Sequence, residues 1–110
     1  MSISTDTTAR LAGKIQETFQ ARGSVYGSPE ENFASTAAFW TAWIKARHGI
    51  DVALDAHDVG QMCAMLKLAR LAKSPTHEDS ALDGAVYMLL GHGCALDSEQ
   101  LRVALASTDP

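Results

Sequence analysis

The segment HEDSALDGAVY, residues 77–87, places two aspartates among apolar residues. At about 100° per residue, a helix here brings Asp79, Leu82, Asp83, Val86 and Leu90 onto one face, so both carboxylates point where a core should be. An unpaired buried carboxylate costs several kcal/mol, which leaves a cation or a shifted proton affinity as the remedy. Lys67 and Arg70, in the apolar stretch VGQMCAMLKLARLAK, are the obvious cationic partners. A divalent metal is the other: Mg²⁺ takes one or two carboxylates together with substrate phosphates and water, and Asp79 with Asp83 can supply that pair. Asn32 adds a polar group to an otherwise aromatic arc, about 20° from both Phe39 and Trp43 on an ideal wheel. Polar groups converging from three helices into an apolar bundle are how ligand sites between helices are built. The competing reading is structural: Asp79 favours a helix N-terminus whatever its function, and Lys67 and Arg70 can simply close internal salt bridges.

Other chemistry is thinly represented. The stretch RGSVYGSP reads as a helix–helix turn in which Arg22 and Tyr26 can reach a phosphate and a base, or merely structure the connection. His77 and Tyr87 flank the aspartates and count as candidate ligand contacts. His48 and His92 stand beside glycines that terminate helices, and His57 reads as exposed; the four histidines lack the paired spacing of a zinc site. There is no Gly-rich phosphate loop, no GxSxG and no HExxH.

Turn signals cut the 110 residues into helix-sized pieces, and no stretch alternates with period two for long. TARLAGKIQETFQARG is amphipathic and should end near Gly23. Ser28-Pro29 with Glu31 three residues after the cap opens a second helix that runs to Gly49 and carries most of the aromatic mass. Asp55 caps a third helix, apolar on nearly every side and therefore expected at the centre. A fourth follows Ser74-Pro75 and should stop at Gly91-His92-Gly93, with a short C-terminal helix from Ser98 to Ala106. The expected fold is one all-α domain, a bundle of four main helices. So much apolar surface on a small chain also points to a homo-oligomer.

A net charge of −4 with 9 Lys+Arg excludes a surface built to coat nucleic acid. MSISTDTTAR lacks an apolar signal core and no apolar run approaches a membrane span, so a cytoplasmic protein is expected. Cys63 and Cys94 lie in apolar segments without CxxC spacing and read as buried thiols.

Taken in order, R-G-S-V-Y-G-S-P-E-E-N-F, F-W-T-A-W, K-x-x-R and H-x-D-x-x-x-D-x-x-x-Y resemble an uncharacterised domain family of phages and prophages, over about residues 22–91. That layout is distantly similar to the all-α NTP pyrophosphohydrolases of the MazG-like group. The resemblance implies an all-α homo-oligomer with a nucleotide-type ligand, in the host-cell cytoplasm if phage-encoded, and Mg²⁺ held against a triphosphate. Arg22, Tyr26, Asn32, Lys67, Arg70, His77 and Tyr87 would then contact ligand, and Asp79 and Asp83 the metal. MazG-like enzymes pair acidic residues as E-x-x-E and E-x-x-D, whereas Asp79 and Asp83 are four apart. Asp55 and Asp58 have the right interval but open the third helix, and Glu30 and Glu31 turn toward solvent. Three readings follow: a pyrophosphohydrolase-like enzyme, a non-catalytic protein that sequesters a nucleotide or nucleotide-derived signal, and a structural oligomerisation protein.

Overall fold

The computed structural model describes residues 3–26 and 28–107, with backbone only for 22–26. These form helices α1 (Ile3–Tyr26), α2 (Pro29–His48), α3 (Ala56–Lys73) and α4 (Glu78–Ser107), with no strand among the described residues. The protein is all-α, as the periodicity predicts.

Caps explain most of the boundaries. Ser28 stands at the α2 N-cap with its Oγ accepting from the Glu31 N–H, and Pro29 follows at the first turn. α2 ends at Gly49, whose φ of 69° lets its N–H donate to the Lys45 carbonyl. At α3 a reciprocal capping box forms: the Asp58 N–H donates to Asp55 Oδ1 at 3.0 Å, and the Asp55 N–H to Asp58 Oδ2 at 2.9 Å. The loop between α2 and α3 is tied down by the Leu54 N–H donating to Thr41 Oγ1.

Two expected boundaries are wrong. α1 passes through Gly23 to Tyr26, so Arg22 and Tyr26 belong to a helix and not to a turn. α4 runs unbroken through Gly91-His92-Gly93 and absorbs the expected fifth helix. The reason at Gly91 is packing. α3 and α4 cross with their backbones in contact, and a Cβ on Gly60 would stand 2.5 Å from Gly91 Cα and 2.7 Å from Gly91 N. A glycine inside a helix costs about 1 kcal/mol against alanine, and here the close approach offsets that cost.

The core gathers Phe33 and Ala37 from α2, Val59 from α3 and Cys94 from α4, with Trp40, Leu54, Cys63, Tyr87 and Leu90 packed round it. α4, not α3, is the central helix. It buries Ser80, Leu82, Asp83, Val86, Gly91 and Cys94, whereas α3 buries only Val59, Gly60 and Ala64. Met65 and Leu68 on α3 are 57% and 64% exposed, so much of the greasy face of α3 looks outward from the single chain. On α2 the covered stripe is buried Phe33 and Ala37 with half-buried Trp40 and Ile44, and the neighbouring edge with Phe39 and Trp43 is open.

α1 is held to the start of α4 by charge. Lys14 Nζ donates to Glu78 Oε2 at 3.0 Å, and Arg10 stands 3.5 Å from Oε1. The Lys14 hydrogen bond, aided by the charges of Lys14 and Arg10, holds the Glu78 carboxyl below its ordinary 4.5 against a smaller opposing effect of burial. A carboxyl lowered in the folded state contributes stability that is present above its unfolded value and lost as pH falls through the folded one. Amide exchange in residues 11–19 is therefore expected to speed up as pH drops below about 4.5, after correction for intrinsic rates. Glu78→Gln should show the faster exchange already at neutral pH. Equal protection of α1 in the variant and the parent would contradict this anchoring role.

Candidate functional site

The polar seam between α3 and α4 is built on small residues. Ser80, Gly84 and Gly91 let α3 lie close, and a Cβ on Gly84 would come within 3.3 Å of Lys67 Cβ. The Lys67 stem therefore crosses α4 over Gly84, and its ammonium reaches Asp83 Oδ2 at 3.1 Å. The two side chains are 14% and 10% exposed, so this ion pair sits largely out of water. At such burial attraction offsets desolvation only when the geometry is good, and neither partner can be removed cheaply.

One turn toward the start of α4, Ser80 is 1% exposed. Its Oγ lies 2.7 Å from His77 Nδ1, and its backbone N–H donates to the same nitrogen at 3.3 Å. A backbone N–H can only donate, so Nδ1 is unprotonated in this arrangement, the ring proton is on Nε2, and the Ser80 hydroxyl donates as well. His77 thus serves as the side-chain cap of α4. One turn beyond Asp83, half-buried Tyr87 packs its ring 6.2 Å from that of Phe33.

Of the residues proposed to converge, Lys67 and Asp83 do, with Tyr87 on the next turn. The others do not join them. Asp79 is exposed although the wheel turns it inward, because it lies in the first turn of α4, where azimuth no longer ensures cover. Arg70 is exposed and its carbonyl accepts from the Ser74 N–H. Asn32 is exposed on the open edge of α2, its carbonyl accepting from Thr36 Oγ1. The side chains of Arg22 and Tyr26 lie outside the described residues. Asp55 and Asp58, at the spacing of an acidic pair, are engaged in the cap of α3.

Asp79 and Asp83 stand in different surroundings. One is open to solvent and the other carries the Lys67 ammonium, and among the described residues no three or more His, Cys, Asp or Glu side chains gather to hold a metal. Burial raises both thiols above their ordinary value of 9.0, partly countered at Cys63 by the charge of Lys67 and reinforced at Cys94 by Glu30, Asp97 and Asp55. Both are protonated at neutral pH, unlike a nucleophilic cysteine.

Beside the ion pair runs a groove of about 320 Å³ whose lining includes Lys67, Ser80 and Gly84 together with Met65, Leu68 and Met88. Three features of this region are not foreseen from the sequence pattern. His57 is half-buried and donates from Nδ1 to the Gly91 carbonyl at 3.0 Å, where an exposed residue is expected. Gln61 Nε2 donates to the Met88 carbonyl at 3.4 Å. The helix-interior glycines Gly60 and Gly91 are the third. Their one signal is their cost: glycines kept inside apolar helical stretches need a packing reason.

The Domain of unknown function (DUF6378) profile matches residues 11–95, which span most of α1 through the α3–α4 crossing. The chain belongs to the DUF6378 family. No curated protein and no solved structure matches it. The DUF6378 match takes in the whole Lys67–Asp83 seam and stops short of the last turns of α4.

Proposed function

We propose that this DUF6378 chain is a small cytoplasmic nucleotide-binding protein of phage type, distantly like the MazG group in layout, that holds its ligand without turning it over. The observation that carries this reading is the Lys67–Asp83 pair at the edge of the α3–α4 groove. A lysine ammonium has three donors, so the bond to Asp83 leaves others for a phosphate oxygen, in a site where low exposure strengthens each one. Asp83 fixes the direction of the ammonium before the ligand arrives, which reduces the ordering cost of binding. Met65 and Met88 supply polarisable surface for a base or sugar, and the groove volume falls in the range of small-molecule sites.

Hydrolysis asks for more. Metal-assisted attack on a triphosphate needs carboxylates to hold Mg²⁺ and orient water. The described donors, one lysine-paired and one exposed aspartate, suit a role in which Mg²⁺ enters with the phosphates of the ligand. Sequestration of a nucleotide or nucleotide-derived signal follows from the same contacts.

A panel of nucleoside mono-, di- and triphosphates and cyclic dinucleotides, screened by thermal shift with and without Mg²⁺ and then by chromatography for product, tests this. At least one member should raise Tm, since ligand at 100 times Kd stabilises by about 2.7 kcal/mol, and no product should form. Lys67→Met, with folding checked by circular dichroism, should weaken binding by about 10- to 100-fold, the worth of one charge-assisted hydrogen bond. A panel without a binder, or affinity indifferent to Lys67→Met, would overturn the proposal. Product formation would restore the hydrolase reading.

A further inference from the structure

The radius of gyration is 17.0 Å and the extents are 55 × 40 × 26 Å, against about 13 Å for the radius of a compact chain of this length. The accessible surface is 7968 Å², where a compact monomer of 11.7 kDa exposes about 5,900 Å². The excess, about 2,000 Å² per chain, exceeds the roughly 800 Å² each partner gives to a standard stable interface. Two apolar features beside α4 contribute to it. The first is an open cleft of about 690 Å³ between α1 and α4, walled by Ile15 and Phe19 and by Leu89, Gly93, Leu96 and Gln100. The second is the C-terminal end of α4, which carries the exposed apolar side chains Leu101 (61%) and Val103 (53%).

The two are continuous along α4. Leu89, Gly93, Leu96, Gln100 and Val103 alternate at spacings of four and three, which is the stripe that seats one helix against another. On an ideal wheel Ala104 lies about 20° from the line through Gly93 that faces the cleft, with Leu101 and Val103 about 80° to either side of it. The stripe thus begins inside a concavity and continues along a convex helix end. Such a surface complements itself about a two-fold axis: residue i meets residue j, and j meets i.

We infer that the protein is a homodimer in which two α4 helices pack antiparallel about an axis near residues 96–100, the C-terminal turns of each lying in the α1–α4 cleft of the other. A second copy is the occupant that matches both halves of the stripe. Gly93, with nothing within 4 Å of an added Cβ, leaves the cleft floor open for an incoming side chain. The inference is independent of any nucleotide, since the cleft faces away from the Lys67 groove across α4: the two share no lining residue.

Sedimentation velocity on the full chain should give a dimer at micromolar concentration. Leu96→Glu/Val103→Glu should raise the dimer dissociation constant by about 100-fold or more while helical circular dichroism stays unchanged. Leu66→Glu and Trp43→Glu, on the exposed apolar faces of α3 and α2, serve as controls and should leave the dimer intact. A monomeric parent, a Leu96→Glu/Val103→Glu variant that still dimerises, or a dimer lost through Leu66→Glu or Trp43→Glu would each overturn this arrangement. Should the charged pair unfold the chain, Val103→Glu alone, at a side chain 53% exposed, decides instead, and a dimer of undiminished affinity there also overturns it.

Discussion

Gly60→Ala is expected to cost about 3 kcal/mol in urea unfolding, and Gly60→Val to prevent folding. A Cβ at this position meets Gly91 Cα at 2.5 Å, Gly91 N at 2.7 Å and the Tyr87 carbonyl at 2.9 Å. All three are backbone atoms of α4, so no side-chain rotation can make room. The helices must separate, and with them the His57–Gly91 hydrogen bond and the Lys67 stem lying over Gly84. Helix propensity acts the other way, since alanine is favoured over glycine by about 1 kcal/mol, so the net loss measures the steric term at a discount. Gly13→Ala provides the contrast. Gly13 lies in α1 with nothing within 4 Å of an added Cβ, and the same substitution there should stabilise by about 0.5–1 kcal/mol. Equal effects at the two glycines would show that the α3–α4 crossing is not a tight contact.

Lys67→Met and Asp83→Asn should each destabilise by about 3–5 kcal/mol, because each leaves its partner charged in a site that water hardly reaches. The pair is 3.1 Å apart with side chains 14% and 10% exposed, whereas Lys45–Asp51, at 3.0 Å, has exposures of 57% and 85%. Lys45→Met should therefore change stability by less than about 1 kcal/mol, although its ion pair is no longer. The Lys67→Met/Asp83→Asn double variant should lose less than the sum of its parts, by a coupling of about 2 kcal/mol. Chemical unfolding of the four proteins supplies the cycle. Additive losses would mean that the two groups are stabilised independently, and the electrostatic basis of the proposed ligand site would fall with the coupling.

The inward turn of Asp83 is legible in the amino-acid pattern, since one wheel for α4 suffices, with Lys67 and Arg70 as candidate cations, of which the structure selects Lys67. The same reasoning fails for Asp79, Arg70 and Asn32, and for one cause. A wheel assigns an angle about the axis, but burial also depends on how far along the axis a neighbouring helix extends. Asp79 has the right angle in the wrong turn. Asn32 shares its angle with Phe39 and Trp43, which are 76% and 65% exposed, so an apolar arc does not guarantee a covered one.

Local chemistry alone determined the all-α class, the Ser28 and Asp55 caps and the Gly49 stop, because a cap is a contest among groups a few residues apart. It also determined that Asp83 would need a cation or a shifted proton affinity. Tertiary structure decided the meaning of the glycines. Gly49 and Gly91 are the same residue type in helical stretches, yet one ends α2 with a left-handed φ and the other lets α4 continue against the backbone of α3. It decided as well that α4 lies at the centre with the apolar flank of α3 outside, since that depends on which helix the others find to cover. Such choices rest on contacts between residues some thirty positions apart, as between Gly60 and Gly91. Neither spacing nor propensity within one helix carries that information, because packing is a property of two surfaces and a sequence pattern describes one at a time.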